Sequence, residues 1–201
     1  MLTIPGGAVV DVYVISSGGM GESAAKSTAR GNGGKGGDGG AYKEFFGVAL
    51  SETTSVTIGE RYLSSQASSV GDYSSSGGTV VGKGGAGYVA SSNTSGKAGG
   101  SGRIPFTGKN PMSDGYAARK LGAGGGGGGY LATTNDATTY TKYGSGGSYG
   151  GGSGVGSQIR MSIPSANSGS GGGGGVSATN KDGYYSGTMG ATGIAIVRWG
   201  Y

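Results

Sequence analysis

The chain has no cysteine and no histidine. The first absence excludes disulfides and thiolate metal sites. The second removes imidazole ligands and any Ser-His-Asp nucleophile. Proline is scarce, four in 201 residues, which excludes a proline-stiffened collagen helix. Charge is thin as well: fifteen basic and ten acidic residues form no block of one sign, and Arg119-Lys120 is the sole adjacent basic pair. A nucleic-acid surface clusters its cations, so no nucleic-acid partner is expected. The longest apolar run falls far short of the ~20 residues of a membrane span, so no membrane insertion is expected. Met1 leads almost directly into a strand pattern without a basic segment, so no secretory leader is expected either. The ten carboxylates are scattered and offer no acid/base pair. A Gly-x-Gly-x-x-Gly match at 124–129 arises trivially from a glycine run, and Gly82-Lys83 and Gly96-Lys97 lack the Ser/Thr that follows a phosphate-loop lysine. These absences point to a non-enzymatic protein without cofactor or metal.

What the chain has is glycine, fifty-three of them. Residues 31–40 read GNGGKGGDGG, where two of every three positions are glycine and the third steps through Asn32, Lys35 and Asp38. A polyproline-II-type helix has about three residues per turn and no internal hydrogen bonds, so residues three apart line one edge. Glycine on the other two edges lets neighbouring backbones approach, and without proline each N–H can donate sideways. Related runs recur at 18–21, 82–87, 96–102, 122–129, 144–156, 169–175 and 187–193, irregularly spaced, which excludes a solenoid of fixed repeat. The competing reading of such composition is a slack linker. Ordering glycine costs more entropy than ordering any other residue, so rods require a dense lattice plus some apolar core.

That core is legible at both ends of the chain. Residues 8–15 alternate Val10, Val12 and Val14 against Val9, Asp11 and Tyr13; residues 41–50 read as a second strand. Residues 55–58 read as a third, with Val56 and Ile58 inward, and residues 78–81 with Val70 as a further short pair. Residues 193–199 alternate Ile194, Ile196 and Arg198 against Ala195, Val197 and Trp199, a strand expected to be buried on both faces. Residues 115–121 are the sole weak helix candidate. The expected fold is a single mainly-β domain over 1–201 with essentially no α-helix. A small β-sandwich of N- and C-terminal strands (about 3–81 and 193–201) would carry an inserted bundle of polyglycine-II helices and irregular loops (about 16–40 and 82–193).

The segments between runs, 103–121, 130–143, 157–168 and 176–186, with a shorter relative at 88–95, combine Tyr, Ser, Thr and Asn with exposed-looking hydrophobes such as Ile104, Leu131 and Ile163. Tyrosine beside Ser, Gly and Asn is also the chemistry of antibody paratopes, rigid amphipathic area next to adaptable polar contacts. The alternative role for each tyrosine is to cap a rod. The candidate contact residues are Phe106, Met112, Tyr116, Tyr130, Tyr140, Tyr143, Ile159, Met161, Tyr184 and Tyr185, with Arg103 and Arg160 at the rim.

Residues 3–19 (TIPGGAVVDVYVISSGG), the triplet run and strand at 31–46, the SVTIG turn at 55–59 and the closing GATGIAIVRWGY at 190–201 together resemble the glycine-rich domain of bacteriophage tail and tail-fibre proteins. A related resemblance is to the tip adhesins of T-even-like phages, whose polyglycine-II rods stack in a sandwich and whose inter-rod loops touch the bacterial receptor. The resemblance implies a virion protein at a tail or fibre tip. Its partners would be a host cell-surface receptor, protein or glycan, and other tail or fibre proteins, with a homotrimer as one arrangement. It also implies receptor contact by the loops at one end. Unlike those adhesins, the chain is expected to carry no separate N-terminal fibre-attachment domain. Two other functions fit the composition: a structural virion component such as a tail-tip plug or capsid decoration, and an ice-binding or matrix-like surface protein. The second fits less well, because ice favours a flat face of small residues and threonine over bulky tyrosine loops.

Overall fold

Valines at alternate positions, flanked by glycine runs, make residues 9–15 the centre of the fold. A computed structural model describes residues 1–5, 8–24, 32–61, 64–106, 120–134, 137–141, 144–147, 151–152, 154, 164–175, 177–178 and 186–199, and for strand residues 130–134, 137–141 and 177–178 the backbone alone. The strands are β1 (Leu2–Thr3), β2 (Val9–Ile15), β3 (Ala41–Ala49), β4 (Thr53–Thr54), β5 (Val56–Thr57), β6 (Ser69–Val70), β7 (Tyr73–Ser74), β8 (Thr79–Val80), β9 (Tyr130–Thr134), β10 (Ala137–Thr141), β11 (Ser177–Ala178) and β12 (Ile194–Arg198). No helix occurs among the described residues. The fold is thus mainly β, as expected, and the helix candidate at 115–121 falls largely outside the described residues.

Four strands form an antiparallel sheet in the order β12-β2-β3-β8, so the first long strand and the last are neighbours. One face carries Val10, Val12 and Val14, and it packs with Ile4, Val70 and the partly buried Phe45 and Tyr73. The small sheets β1-β4 and β5-β6-β7 supply that cover. The opposite face carries Tyr13 and Ile15 with Phe106 and Leu121, flanked by Tyr42, Phe46 and Ile196. The β2–β3 register slips between Val10 and Val12, where β3 spends two residues, Phe46 and Gly47, against Asp11. Gly47 sits at φ +61, the left-handed conformation that a bulge of this kind assigns to glycine. Its N–H donates to Asp11 Oδ1 at 2.8 Å. Asp11 is completely buried, and Arg198 on β12 donates to Oδ2 from Nε (3.2 Å) and Nη2 (2.9 Å).

Three local expectations need correction. Val56 and Ile58 are over one-third exposed, because β5 pairs at the margin of its sheet and does not turn these side chains into the core. Val70 pairs with Val56 and Tyr73, while Val80 pairs with Ala41, so the two do not form one unit. Strand β12 lies at the sheet edge, half-buried throughout, with Trp199 43% exposed; it is not buried on both faces.

Beyond the sheet the glycine runs continue as threads that are neither strand nor helix. Their hydrogen bonds repeat every third residue. In 32–40, the N–H groups of Gly33, Gly36 and Gly39 donate to the carbonyls of Tyr88, Gly85 and Gly82 at 3.0, 2.9 and 2.7 Å. Gly34, Gly37 and Gly40 donate to Gly175, Gly172 and Gly169 on another side. The carbonyls of Lys35 and Asp38 accept from Glu22 and Gly19 on a third. Each of the three phases therefore serves a different neighbour. Residues 121–129 and 168–175 are buried without exception, a core made almost wholly of backbone. Glycine is required there by space: a Cβ at Gly36, Gly125 or Gly128 would collide with the carbonyl of Gly125, Gly172 or Gly175 respectively.

Candidate functional site

The threads extend the strands. β2 runs into 16–22, 32–40 into β3, β8 into 81–88 and 186–193 into β12, so sheet and bundle share one long axis. The hydrogen-bond register then assigns each connection to an end. Gly82, Gly100 and Gly122 lie level with one another beside the sheet, whereas Tyr88, Gly128 and Gly34 lie level at the far end. The described residues that flank 25–31, 89–95, 135–143 and 176–185 lie towards the far end. The connection 104–120 opens at the sheet end, closed at its base by the bridge between Arg103 and Leu121. The stretch 155–167 starts from Gly154, bonded to Gly144, and returns at Ser168, bonded to Gly122 at the sheet end. The described flanks of the four candidate loop sets therefore do not share one end.

At the far end two structures are built from the threads. The turn 89–94 is pinned by a two-way bridge between Val89 and Thr94 (3.0 and 3.1 Å) and by Asn93 at φ 54, a left-handed conformation that asparagine tolerates. The buried Tyr88 hydroxyl donates to Asn93 Oδ1 at 3.1 Å, and Ala90 N–H donates to Asn32 Oδ1 at 2.9 Å. Beside it, β9 and β10 form a hairpin in which Thr134 faces Ala137, leaving two residues for the connection. β11 joins β9 in parallel, with Ser177 opposite Tyr130. Parallel pairing over so short a length needs prior alignment, and the threads below supply it: Gly171 and Gly174 donate to Ala123 and Gly126, so 168–175 and 121–129 already run parallel and bonded. Two segments read as irregular loops, 130–143 and 176–186, are thus partly strand and share one three-stranded sheet.

Tyr130 on β9 stands opposite Thr141, and Tyr140 on β10 opposite Leu131, so the two tyrosines occupy adjacent rungs of this sheet. Phe106 is a correction. It is completely buried, at φ 57, with its ring edge-on to Tyr13 (5.9 Å) and Phe46 (6.2 Å) and the Arg198 guanidinium 4.1 Å above it. It closes the sheet core, and its apolar neighbours explain why it faces inward. Arg103 stays at the sheet end, 4.6 Å over the Tyr42 ring and 3.4 Å from Glu44 Oε2. Met112, Tyr116, Tyr143, Ile159, Arg160, Met161, Tyr184 and Tyr185 lie outside the described residues.

Charge lines the side of the bundle. Asp38 accepts from Gly84 N–H at 2.7 Å and pairs with Lys35 and Lys83, each at 3.4 Å. Burial opposes ionisation of its carboxyl, but the Gly84 bond and the two ammonium groups together outweigh it and hold the carboxyl below its ordinary range. Burial, with the Glu44 carboxylate nearby, pushes the Tyr13 phenol well above its ordinary range, so it stays neutral. Among the described residues no group of carboxylates is arranged to hold a metal ion. No described helix is long and apolar enough to cross a membrane. The shared edge of Asn32, Lys35 and Asp38 was legible from spacing; the clamp of Asp11 and Arg198 was missed, although each stands as a lone charge in an otherwise apolar strand.

No protein-family model matches the chain, and no curated protein matches it either.

Proposed function

We propose that this chain is a non-enzymatic adhesin of a bacteriophage tail or tail-fibre tip, recognising the host surface through loops held on a polyglycine-II platform. In this reading the threads are polyglycine-II helices, whose three-fold screw aims successive N–H groups about 120° apart. Two observations support it. Bonds from one thread repeat every third residue towards the same neighbour. Thread 121–129 exchanges bonds with 32–40, 81–88, 96–102, 144–147, 151–152 and 168–175, the surroundings of one rod in a hexagonal array.

The observation that carries the functional reading is the far-end sheet β10-β9-β11 standing on parallel, buried threads. A platform of this kind orders its loops before contact, which reduces the entropy lost on docking. Tyrosine, threonine and asparagine on such a support suit either a protein or a glycan receptor. The N- and C-terminal strands at the opposite end leave Val9 and Trp199 exposed, a face fit for contact with other virion chains.

The test is adsorption. Purified chain should bind host cells and compete with phage, and Tyr130→Ala/Tyr140→Ala and Tyr184→Ala/Tyr185→Ala should each weaken binding while thermal unfolding is unchanged. A folded chain that does not bind cells, or binds equally well with both pairs removed, refutes the adhesin reading and leaves a structural virion component.

A further inference from the structure

A second site stands apart from the far end, at the seam where β8 passes into thread 81–88 and thread 96–102 returns. A cleft of about 430 Å³ opens there, lined by Tyr42, Thr79, Val81, Ser101, Arg103 and Lys120. That volume falls among the roughly 300–1,000 Å³ of small-molecule clefts. Its distinguishing element is Arg103, which is held on three sides. Its backbone exchanges both hydrogen bonds with Leu121 (2.8 and 2.7 Å). Its guanidinium lies 4.6 Å over the Tyr42 ring. Glu44 approaches from the third side, and that carboxylate is itself fixed by Phe106 N–H at 2.7 Å.

Yet among the described residues the hydrogen-bonding capacity of this arginine is hardly used. A guanidinium carries five N–H donors. The one side-chain bond Arg103 makes among the described residues is the 3.4 Å contact from Nη2 to Glu44, beyond the ordinary range. Its buried Nε has no partner there. A structural arginine spends its donors, as Arg198 does on Asp11 from both Nε and Nη2. Among the described residues Arg103 is positioned without being satisfied, and its side chain is 34% exposed, the condition of a residue prepared for an anion. Lys120 adds a second cation one residue before the Leu121 bridge.

We propose that this cleft binds a carboxylated sugar, such as a uronic acid unit of an acidic polysaccharide. A planar carboxylate matches the guanidinium fork. The sugar C–H faces would rest on Val80, Val81 and Ile104, and its hydroxyls would meet Thr79 and Ser101. An inorganic anion would leave most of the cleft unfilled. The site is independent of the far-end sheet, so it stands or falls separately from the adhesin reading.

The test titrates the full chain with sodium glucuronate, glucose and inorganic phosphate by isothermal calorimetry or amide NMR. Saturable glucuronate binding that moves the amides of Ser101, Arg103 and Tyr42 is expected, with glucose at least about tenfold weaker. Arg103→Gln should weaken glucuronate about tenfold or more, as loss of a charged hydrogen-bond pair does. Lys120→Gln should weaken it less, and its smaller loss keeps the test informative if Arg103→Gln unfolds the chain. Absence of saturable binding, glucuronate binding indifferent to both substitutions, or phosphate binding as tightly as glucuronate would each overturn the assignment.

Discussion

Gly125→Ala, compared with Gly19→Ala, asks whether the glycine threads are packed or slack. Gly125 lies on the fully buried thread 121–129, and a Cβ there would run into the carbonyl of Gly172, with the Gly171 oxygen 3.1 Å away. Both obstacles are backbone, so relief requires one thread to move away from another. That movement stretches the bonds between the two threads, from Gly171 N–H to Ala123 (2.8 Å) and from Gly174 N–H to Gly126 (2.9 Å). Two weakened bonds at about 1 kcal/mol each, with about 1–3 kcal/mol of overpacking, are offset by about 0.4–1 kcal/mol from the stiffer unfolded chain. The expected net loss is about 2–4 kcal/mol, or roughly 5–15 °C in thermal midpoint for a chain of this size. At Gly19 the nearest obstacle is the Asp38 carbonyl oxygen at 3.4 Å, ordinary contact. Gly19→Ala should therefore be neutral or slightly stabilising. The assay is thermal unfolding followed by circular dichroism, with denaturant titration as a check. Equal, near-zero effects at both positions would refute the reasoning, since a slack tether does not distinguish one glycine from another.

Removing one member of the buried clamp, by Asp11→Ala, should cost about 3–5 kcal/mol because Arg198 is left without its carboxylate; Asp11→Leu/Arg198→Met should recover much of that loss in denaturant titrations. Asp38 contributes stability above its unfolded value near 4, since its carboxyl titrates lower in the folded chain. That contribution should fade as pH falls through the folded value, and Asp38→Asn should flatten the stability profile on the acid side of the unfolded value. Asn93→Val should cost about 1–2 kcal/mol more than Asn93→Gly in thermal unfolding, because φ 54 suits glycine and not a β-branched residue.

The strands were legible where one residue type alternates. Val10, Val12 and Val14 announce β2, and Ile194 with Ile196 announces β12, since burying one face of a pleated strand demands a period of two. The three-residue rhythm of 31–40 likewise announced which residues share an edge: Lys35 and Asp38, three apart, pair with each other along the bundle. What remained hidden was long-range. Glycine has no side chain to code for its neighbour, so nothing in 122–129 names the threads around it. Phe106 looked like a loop anchor because its burial depends on Tyr13, Phe46 and Arg198, all distant in sequence. The hairpin β9–β10 had a local signal, the β-branched Thr133, Thr134, Thr138 and Thr139, masked by the polar composition around it.

The account depends on the bundle being as ordered as a protein core, and native-state amide hydrogen exchange reads this directly. The N–H groups of Gly125, Gly128, Gly171 and Gly174, each bonded to another thread, should exchange only through global opening, as slowly as those of β2. Exchange of these glycines at the rate of an unstructured peptide, while β2 stays protected, would contradict it.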